Sequence, residues 1–290
     1  MYPVLYENGW LVLYTHDFFT VVGLLAALAL YYYELRKRNM LGFEIFWISI
    51  AAVVGGSLGA RLIVVLDNPA AYFSNLGSMP LSYFLTHSGK GIIGGIVGGY
   101  LAIALTKRLF KYKHSTGDCY APAIPLGMAI GRVGCFFSEL PLGTPTDMPW
   151  GISVSQQAAS QFAVCPGCSG KMHPSMVYEI IFHLAAFALI LRYRNLVRVQ
   201  GDTLKLYLLA AVVFRFLVEY VRGSREYAFG FTSAQVALLI LTVPLVIHFV
   251  RQWRRGVYRM PEPPVARASP GRREPVMPTR LVRDKEAGLP

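Results

Sequence analysis

The chain has 290 residues, of which 54% are hydrophobic and 15% charged, and its mean hydropathy is +0.43. That apolar content excludes a soluble globular domain of this length, and the apolar runs are long enough to cross a bilayer, so a polytopic membrane protein is expected. The formal net charge of +12 does not mark a nucleic-acid binder, because the basic residues collect in short loops on one side and in the tail.

Seven spans are expected, at 18 to 34, 43 to 66, 88 to 106, 118 to 138, 175 to 192, 204 to 221 and 232 to 250. Each is close to the roughly 20 residues a helix needs to cross about 30 Å of hydrocarbon, and the fold class is all-α. Residues 1 to 17 contain no Lys or Arg, so the first run lacks the basic region of a cleavable signal and reads as a retained span. Arg36, Lys37 and Arg38 follow it, and Lys107, Arg108, Lys111 and Lys113 follow the third span. Arg192, Arg194, Arg198 and Lys205 lie between the fifth and sixth, and Arg251, Arg254, Arg255 and Arg259 follow the seventh. With seven spans all four sets share one side, which places the N-terminus outside and the C-terminus in the cytoplasm.

Small residues crowd the second and third spans, at Gly55, Gly56, Ser57, Gly59 and Ala60 and at Gly91, Gly94, Gly95, Gly98 and Gly99. Their spacing makes a groove on one helical face. It serves close helix packing or, as the functional alternative, lodges a lipid chain.

The fourth span, within Asp118 to Gly143, carries one charge well inside it, Arg132. A guanidinium at membrane depth costs about 3 kcal/mol on insertion scales and cannot shed its proton, so it implies a buried partner or an anionic ligand. The alternative is an arginine near a helix end that snorkels to the interface. Gly127, Gly131 and Gly134 flank it at spacings that let a helix or a ligand approach the backbone.

At the helical rise, Arg132 lies about 21 Å in from the basic side, Arg215 about 16 Å and Arg61 about 27 Å. All three fall between the midplane and the outer surface. Glu219 is one turn beyond Arg215, and Arg222 continues the stripe. Cations from three spans with one obvious acid suit an anionic headgroup, since guanidinium binds phosphate in a defined bidentate geometry. A purely structural Arg–Glu network is the alternative.

His173 to Glu179 reads as a helix start at the outer end, with Pro174 in the first turn and Tyr178 and Glu179 as interfacial polar groups. His183, deeper on the same span, reads as a core histidine bonded to a carbonyl. Cys119 and Cys135, at the two ends of the fourth span, read as packed thiols. Cys165 and Cys168 lie in the long outer loop, where a local disulfide is the first reading and thiol exchange the second. No zinc-ligand or dinucleotide pattern of useful specificity is present, so neither metal nor cofactor is expected. Residues 1 to 259 form the membrane domain, and 260 to 290, rich in Pro, Arg and Glu, form a disordered cytoplasmic tail.

Taken together, several segments resemble the bacterial prolipoprotein diacylglyceryl transferases over residues 18 to 250. Gly59, Ala60, Arg61 and Leu62 look like that family's second-span motif, and Gly94 to Gly99 like its glycine-rich third span. Gly131 to Phe136 is similar to its signature, His173, Pro174, Ser175, Tyr178 and Glu179 to its next motif, and Phe214 to Glu219 to its sixth-span Arg and Glu. The resemblance implies a multi-pass protein of the bacterial cytoplasmic membrane with its site toward the outer leaflet. It also implies transfer of a diacylglyceryl group from phosphatidylglycerol to the lipobox cysteine thiol of a prolipoprotein, with no cofactor and no nucleic-acid partner.

On that reading Arg132 and Arg215 clamp the headgroup, Glu219 orients Arg215, and Arg61 assists. Glu139, His173 and Tyr178 complete the substrate-binding set. The chain departs from the family pattern at Cys135, where the family has Asn, at Ile93, where it commonly has His, and at Ala211, where it has Tyr. The family's acidic residue after the Asn falls at Leu140, with Glu139 one position short. Candidates for the base that deprotonates the nucleophilic thiol are His87, Glu139 and Glu219. The alternatives are a non-catalytic relative that binds phospholipid or lipoprotein, and a small lipid or solute transporter.

Overall fold

The structure is a computed structural model. It describes residues 4–8, 11–67, 91–139, 143–153, 171–197, 199–222, 226–228 and 230–258. The long helices within them are α1 (Thr15–Lys37), α2 (Phe43–Asp67), α3 (Ile92–Leu109), α4 (Gly117–Phe137), α5 (Ser175–Tyr193), α6 (Asp202–Arg222) and α7 (Ser233–Arg254). Five of these, α1, α2 over Phe43–Ile63, α4, α5 and α7, are long and apolar enough to cross a membrane. The chain is therefore a multi-pass membrane protein. Helices α3 and α6 occupy the places of the expected third and sixth spans. Within its 21 residues α6 carries Asp202, Lys205, Arg215, Glu219 and Arg222, which keeps it outside that set, while α3 holds both its charges, Lys107 and Arg108, in its last turn.

Glycines decide which helices pair. Helix α1 packs along α4 and α2 along α3. A Cβ built on Gly23 of α1 would stand 2.6 Å from the Gly127 carbonyl oxygen of α4. One on Gly59 of α2 would stand 2.3 Å from the Gly94 carbonyl oxygen of α3. Only hydrogen fits at those crossings. The small-residue groove of α2 and α3 is thus filled by the two helices themselves, which supports its packing reading.

At the end of the bundle that carries the basic clusters, a second set of contacts ties these pairs together. The Tyr31 and Tyr120 rings stack at 4.3 Å, Ser49 Oγ donates to the Tyr31 hydroxyl at 3.2 Å, and Ile45, Ile48, Cys119 and Ala123 pack around them. Glu34, 2% exposed, accepts from Arg194, with Arg38 Nε 3.6 Å away. The Gly201 amide donates to Asp118 Oδ2 at 2.9 Å, joining the start of α6 to the start of α4.

The opposite end holds what the all-α expectation omitted, three short antiparallel ribbons. These are β1 (Val4–Asn8) with β2 (Leu11–Tyr14), β3 (Ile152–Ser153) with β4 (Lys171–Met172), and β5 (Glu226–Ala228) with β6 (Phe231–Thr232). Such ribbons satisfy backbone groups of loops that cannot continue a helix. The Gly143 amide donates to the His173 carbonyl at 3.1 Å and that of Thr144 to the Val221 carbonyl at 2.7 Å. The segment after α4 is thereby fastened to the adjoining ends of α5 and α6. It is at this end that the intramembrane charges meet.

Candidate active site

Helix α4 buries Ala121, Pro125 and Ala129, and Arg132 follows on the same face at 8% exposure. Small neighbours let the long arginine stem lie against the adjoining helix. There Arg132 Nε pairs with Glu179 Oε2. Glu179, 2% exposed, lies on a buried face of α5 that includes Ser175, Met176 and His183. Ser175, Glu179 and His183 recur one turn apart, so all three point inward. The other Glu179 oxygen faces Arg222 Nη1 of α6 at 3.6 Å.

On α6, Arg215 pairs with Glu219 one turn later. Glu219 also accepts from Thr232 Oγ1 at 3.4 Å. Thr232 is held by the capping box it forms with Gln235 at the start of α7, so the carboxylate is fixed from two helices. Arg222 lies within electrostatic range of Arg132, Arg215, Glu179 and Glu219. Among the described residues, three arginines against two buried glutamates leave this layer with one positive charge in excess.

Arg132 Nη1 donates to Cys135 Sγ at 3.6 Å, while Nη2 is buried without a hydrogen-bond partner among the described residues. A Cβ built on the neighbouring Gly131 would meet nothing within 4 Å. A buried donor with no acceptor costs about 1 to 3 kcal/mol and more when charged, so a donor left in that state is suited to an incoming anion.

The remaining expected residues fall in several places. Arg61 Nη1 donates to Ser57 Oγ on its own helix at 2.9 Å. Glu139, 6% exposed, lies just past the end of α4 with φ +56, a left-handed conformation that stops the helix there. His173 Nδ1 stands 3.0 Å from the Tyr178 hydroxyl, which also accepts from Trp150 Nε1 at 2.8 Å. That trio sits one residue from Glu179, at the outer rim of the layer. His183 is a buried histidine as expected, but it meets the Tyr207 hydroxyl at 3.1 Å rather than a carbonyl. Cys119 and Cys135 are both buried free thiols. His87, Cys165, Cys168 and the tail at 260 to 290 lie outside the described residues.

Sequence reasoning underrated Glu179, placing it at the interface, and passed over His16. Glu179 was legible in the one-turn recurrence of Ser175, Glu179 and His183, and in the need of three intramembrane arginines for more than one acid. His16 carried no signal, because only the packing of α1 on α4 at Gly134 brings it within electrostatic range of Cys135.

A family model described as Prolipoprotein diacylglyceryl transferase matches residues 3–251 of the chain. Several relatives carry the name phosphatidylglycerol–prolipoprotein diacylglyceryl transferase. The Bordetella parapertussis protein is 32% identical over 211 residues, covering 70% of this chain and 72% of the relative. That of Fervidobacterium nodosum is 31% identical over 246 residues, covering 83% and 76%. That of Clostridium tetani is 25% identical over 265 residues, covering 88% of this chain and all of the relative.

Proposed function

The chain belongs to the prolipoprotein diacylglyceryl transferase family, and on that premise we propose how its buried arginine layer carries out the reaction. The activity is transfer of a diacylglyceryl group from phosphatidylglycerol to the lipobox cysteine thiol of a prolipoprotein. A carbon–sulfur bond forms at the glyceryl carbon, the carbon–oxygen bond to phosphate breaks, and its electron pair stays on glycerol phosphate. The phosphate thereby passes from one negative charge to two.

The observation that carries the site assignment is the unpartnered Nη2 of Arg132, and the reading sets the headgroup against Gly131, the preceding residue, where an added Cβ would meet nothing within 4 Å. In this reading Nη2 donates to a non-bridging phosphate oxygen, and Arg215, held by Glu219, supplies the second arm of the clamp. Donors fixed before the reaction stabilise charge that develops during it without reorganising. The single excess positive charge of the layer matches the charge the phosphate gains. Arg61 assists from α2. Glu139, His173 and Tyr178, at the rim, meet the precursor.

The topology that suits this chemistry has seven spans in the cytoplasmic membrane, with the N-terminus outside, the arginine layer toward the outer leaflet and residues 260 to 290 as a cytoplasmic tail. Four basic clusters on one side support it. The test is expression of the chain in cells depleted of their own transferase, with the mass of a reporter lipoprotein as readout. A diacylglyceryl increment with the wild-type chain, lost in Arg132→Ala, is expected. No increment from a correctly inserted wild-type chain would overturn the reading.

A further inference from the structure

We propose that Cys135 and His16 together form the base that takes the proton from the prolipoprotein thiol. This rests on the transferase reading above and adds a proton acceptor to the arginine layer, whose guanidinium groups do not accept protons and whose two glutamates are each engaged in an ion pair.

The geometry brings three groups to one point. Cys135, 6% exposed, follows Arg132 by three residues on α4, and Arg132 Nη1 donates to its sulfur at 3.6 Å. His16, in the first turn of α1, packs against Gly134, the residue before this thiol, and lies within electrostatic range of it. Their approach is enforced by Gly134. A Cβ built there would stand 3.1 Å from the His16 Cα and 2.8 Å from the Phe19 Cβ, so only glycine lets α1 come this close. On its α5 side Cys135 packs against Met176. The charged groups around the pair are Arg132 on α4, Asp17 on α1 and, through Arg132, Glu179 on α5.

An imidazole beside a thiol gives its proton a place to go, and a guanidinium at the sulfur stabilises thiolate character as the proton moves. The partnerless Nη2 of Arg132 belongs to the same side chain, so the phosphate it would hold lies one guanidinium away from this sulfur. The substrate S–H gives its proton to the Cys135 sulfur as the Cys135 thiol passes its own proton to His16. The freed substrate thiolate attacks the glyceryl carbon, and the electron pair of the broken carbon–oxygen bond leaves on glycerol phosphate. The pair has then gained one positive charge and the phosphate one negative charge. His16 resets the pair by releasing its proton. Its side chain is 38% exposed and stands 3.4 Å from Asp17 Oδ1, itself 55% exposed, which opens a path to water.

The test uses the full-length chain in detergent micelles, with phosphatidylglycerol and a synthetic lipobox peptide, and reads glycerol phosphate release against pH. Cys135→Ser and His16→Gln should each lose about a hundredfold in kcat/KM at pH 7, the scale of a general base, with the deficit closing as pH approaches the thiol's own ionisation near about 8.5. Either variant within twofold of wild type across the pH range would overturn the proposal. A second reading needs no turnover. In a chain carrying Cys119→Ser, Cys165→Ser and Cys168→Ser, iodoacetamide should alkylate Cys135 at pH 7 at least fivefold faster than in the same chain with His16→Gln. Equal rates would overturn the pairing even if the chain were inactive. Absent turnover with the wild-type chain, in contrast, bears on the transferase reading and leaves the alkylation result decisive for the pair.

Discussion

Arg132 of α4 and Glu179 of α5 form an ion pair in which both side chains are almost wholly buried, at 8% and 2% exposure for the two residues. Glu179 also faces Arg222 of α6, so one carboxylate holds together three helices and two cations. Removing one partner of such a pair leaves a buried charge unmet and costs about 3 to 5 kcal/mol. Glu179→Ala is expected to lower the unfolding midpoint of the detergent-solubilised protein by that order, and pairing it with Arg132→Met should restore part of the loss. A midpoint equal to wild type in Glu179→Ala would show that the pair is not structural.

The glycines beside Arg132 separate packing from access. Gly134→Ala must push α1 away, because the added methyl meets the Phe19 Cβ at 2.8 Å, and overpacking of this kind costs about 1 to 3 kcal/mol. Gly131→Ala places its methyl in open space and should leave stability unchanged. Because that space is where the headgroup is placed, it should instead raise KM for phosphatidylglycerol severalfold. Thermal melts and steady-state kinetics on the two variants check both halves, and a KM unchanged in Gly131→Ala would move the headgroup elsewhere.

Thr232 caps α7 and donates to Glu219. Thr232→Val removes both, so about 0.5 to 2 kcal/mol of stability should go with the cap. The loss of activity should be smaller than in Glu219→Ala, which releases Arg215 outright. Parallel measurement of midpoint and kcat in the two variants distinguishes them, and equal activity losses would mean that Glu219 is oriented by the cap alone.

At the far end of the bundle, Glu34 binds Arg194 and Arg38 with no access to the arginine layer. Glu34→Gln should lower stability while the kcat of the folded fraction stays at the wild-type value. A changed kcat in the folded fraction would reveal coupling along α1 that the contacts do not show.

Much of this was legible in the sequence, and the physical reason is the same throughout. A charge or a glycine inside an apolar run is expensive or conspicuous, so Arg132, Arg215, Glu219 and the paired glycines of α2 and α3 announced themselves. Glu179 did not, since an acid five residues into a helix at the membrane surface looks like an interfacial group until the inward direction of its face is known. His16 was invisible because its meeting with Cys135 depends on the approach of α1 to Gly134. The short ribbons were missed because two- to five-residue strands between spans leave no periodicity to count.

The most direct test of the central claim, that Arg132 grips the lipid phosphate, is glycerol phosphate release from phosphatidylglycerol by purified Arg132→Lys and Arg132→Ala. The account predicts turnover by the wild-type chain, a loss of at least a hundredfold in Arg132→Ala and only partial recovery in Arg132→Lys, which keeps the charge but not the planar fork. Turnover by a folded Arg132→Ala protein at the wild-type rate would contradict it.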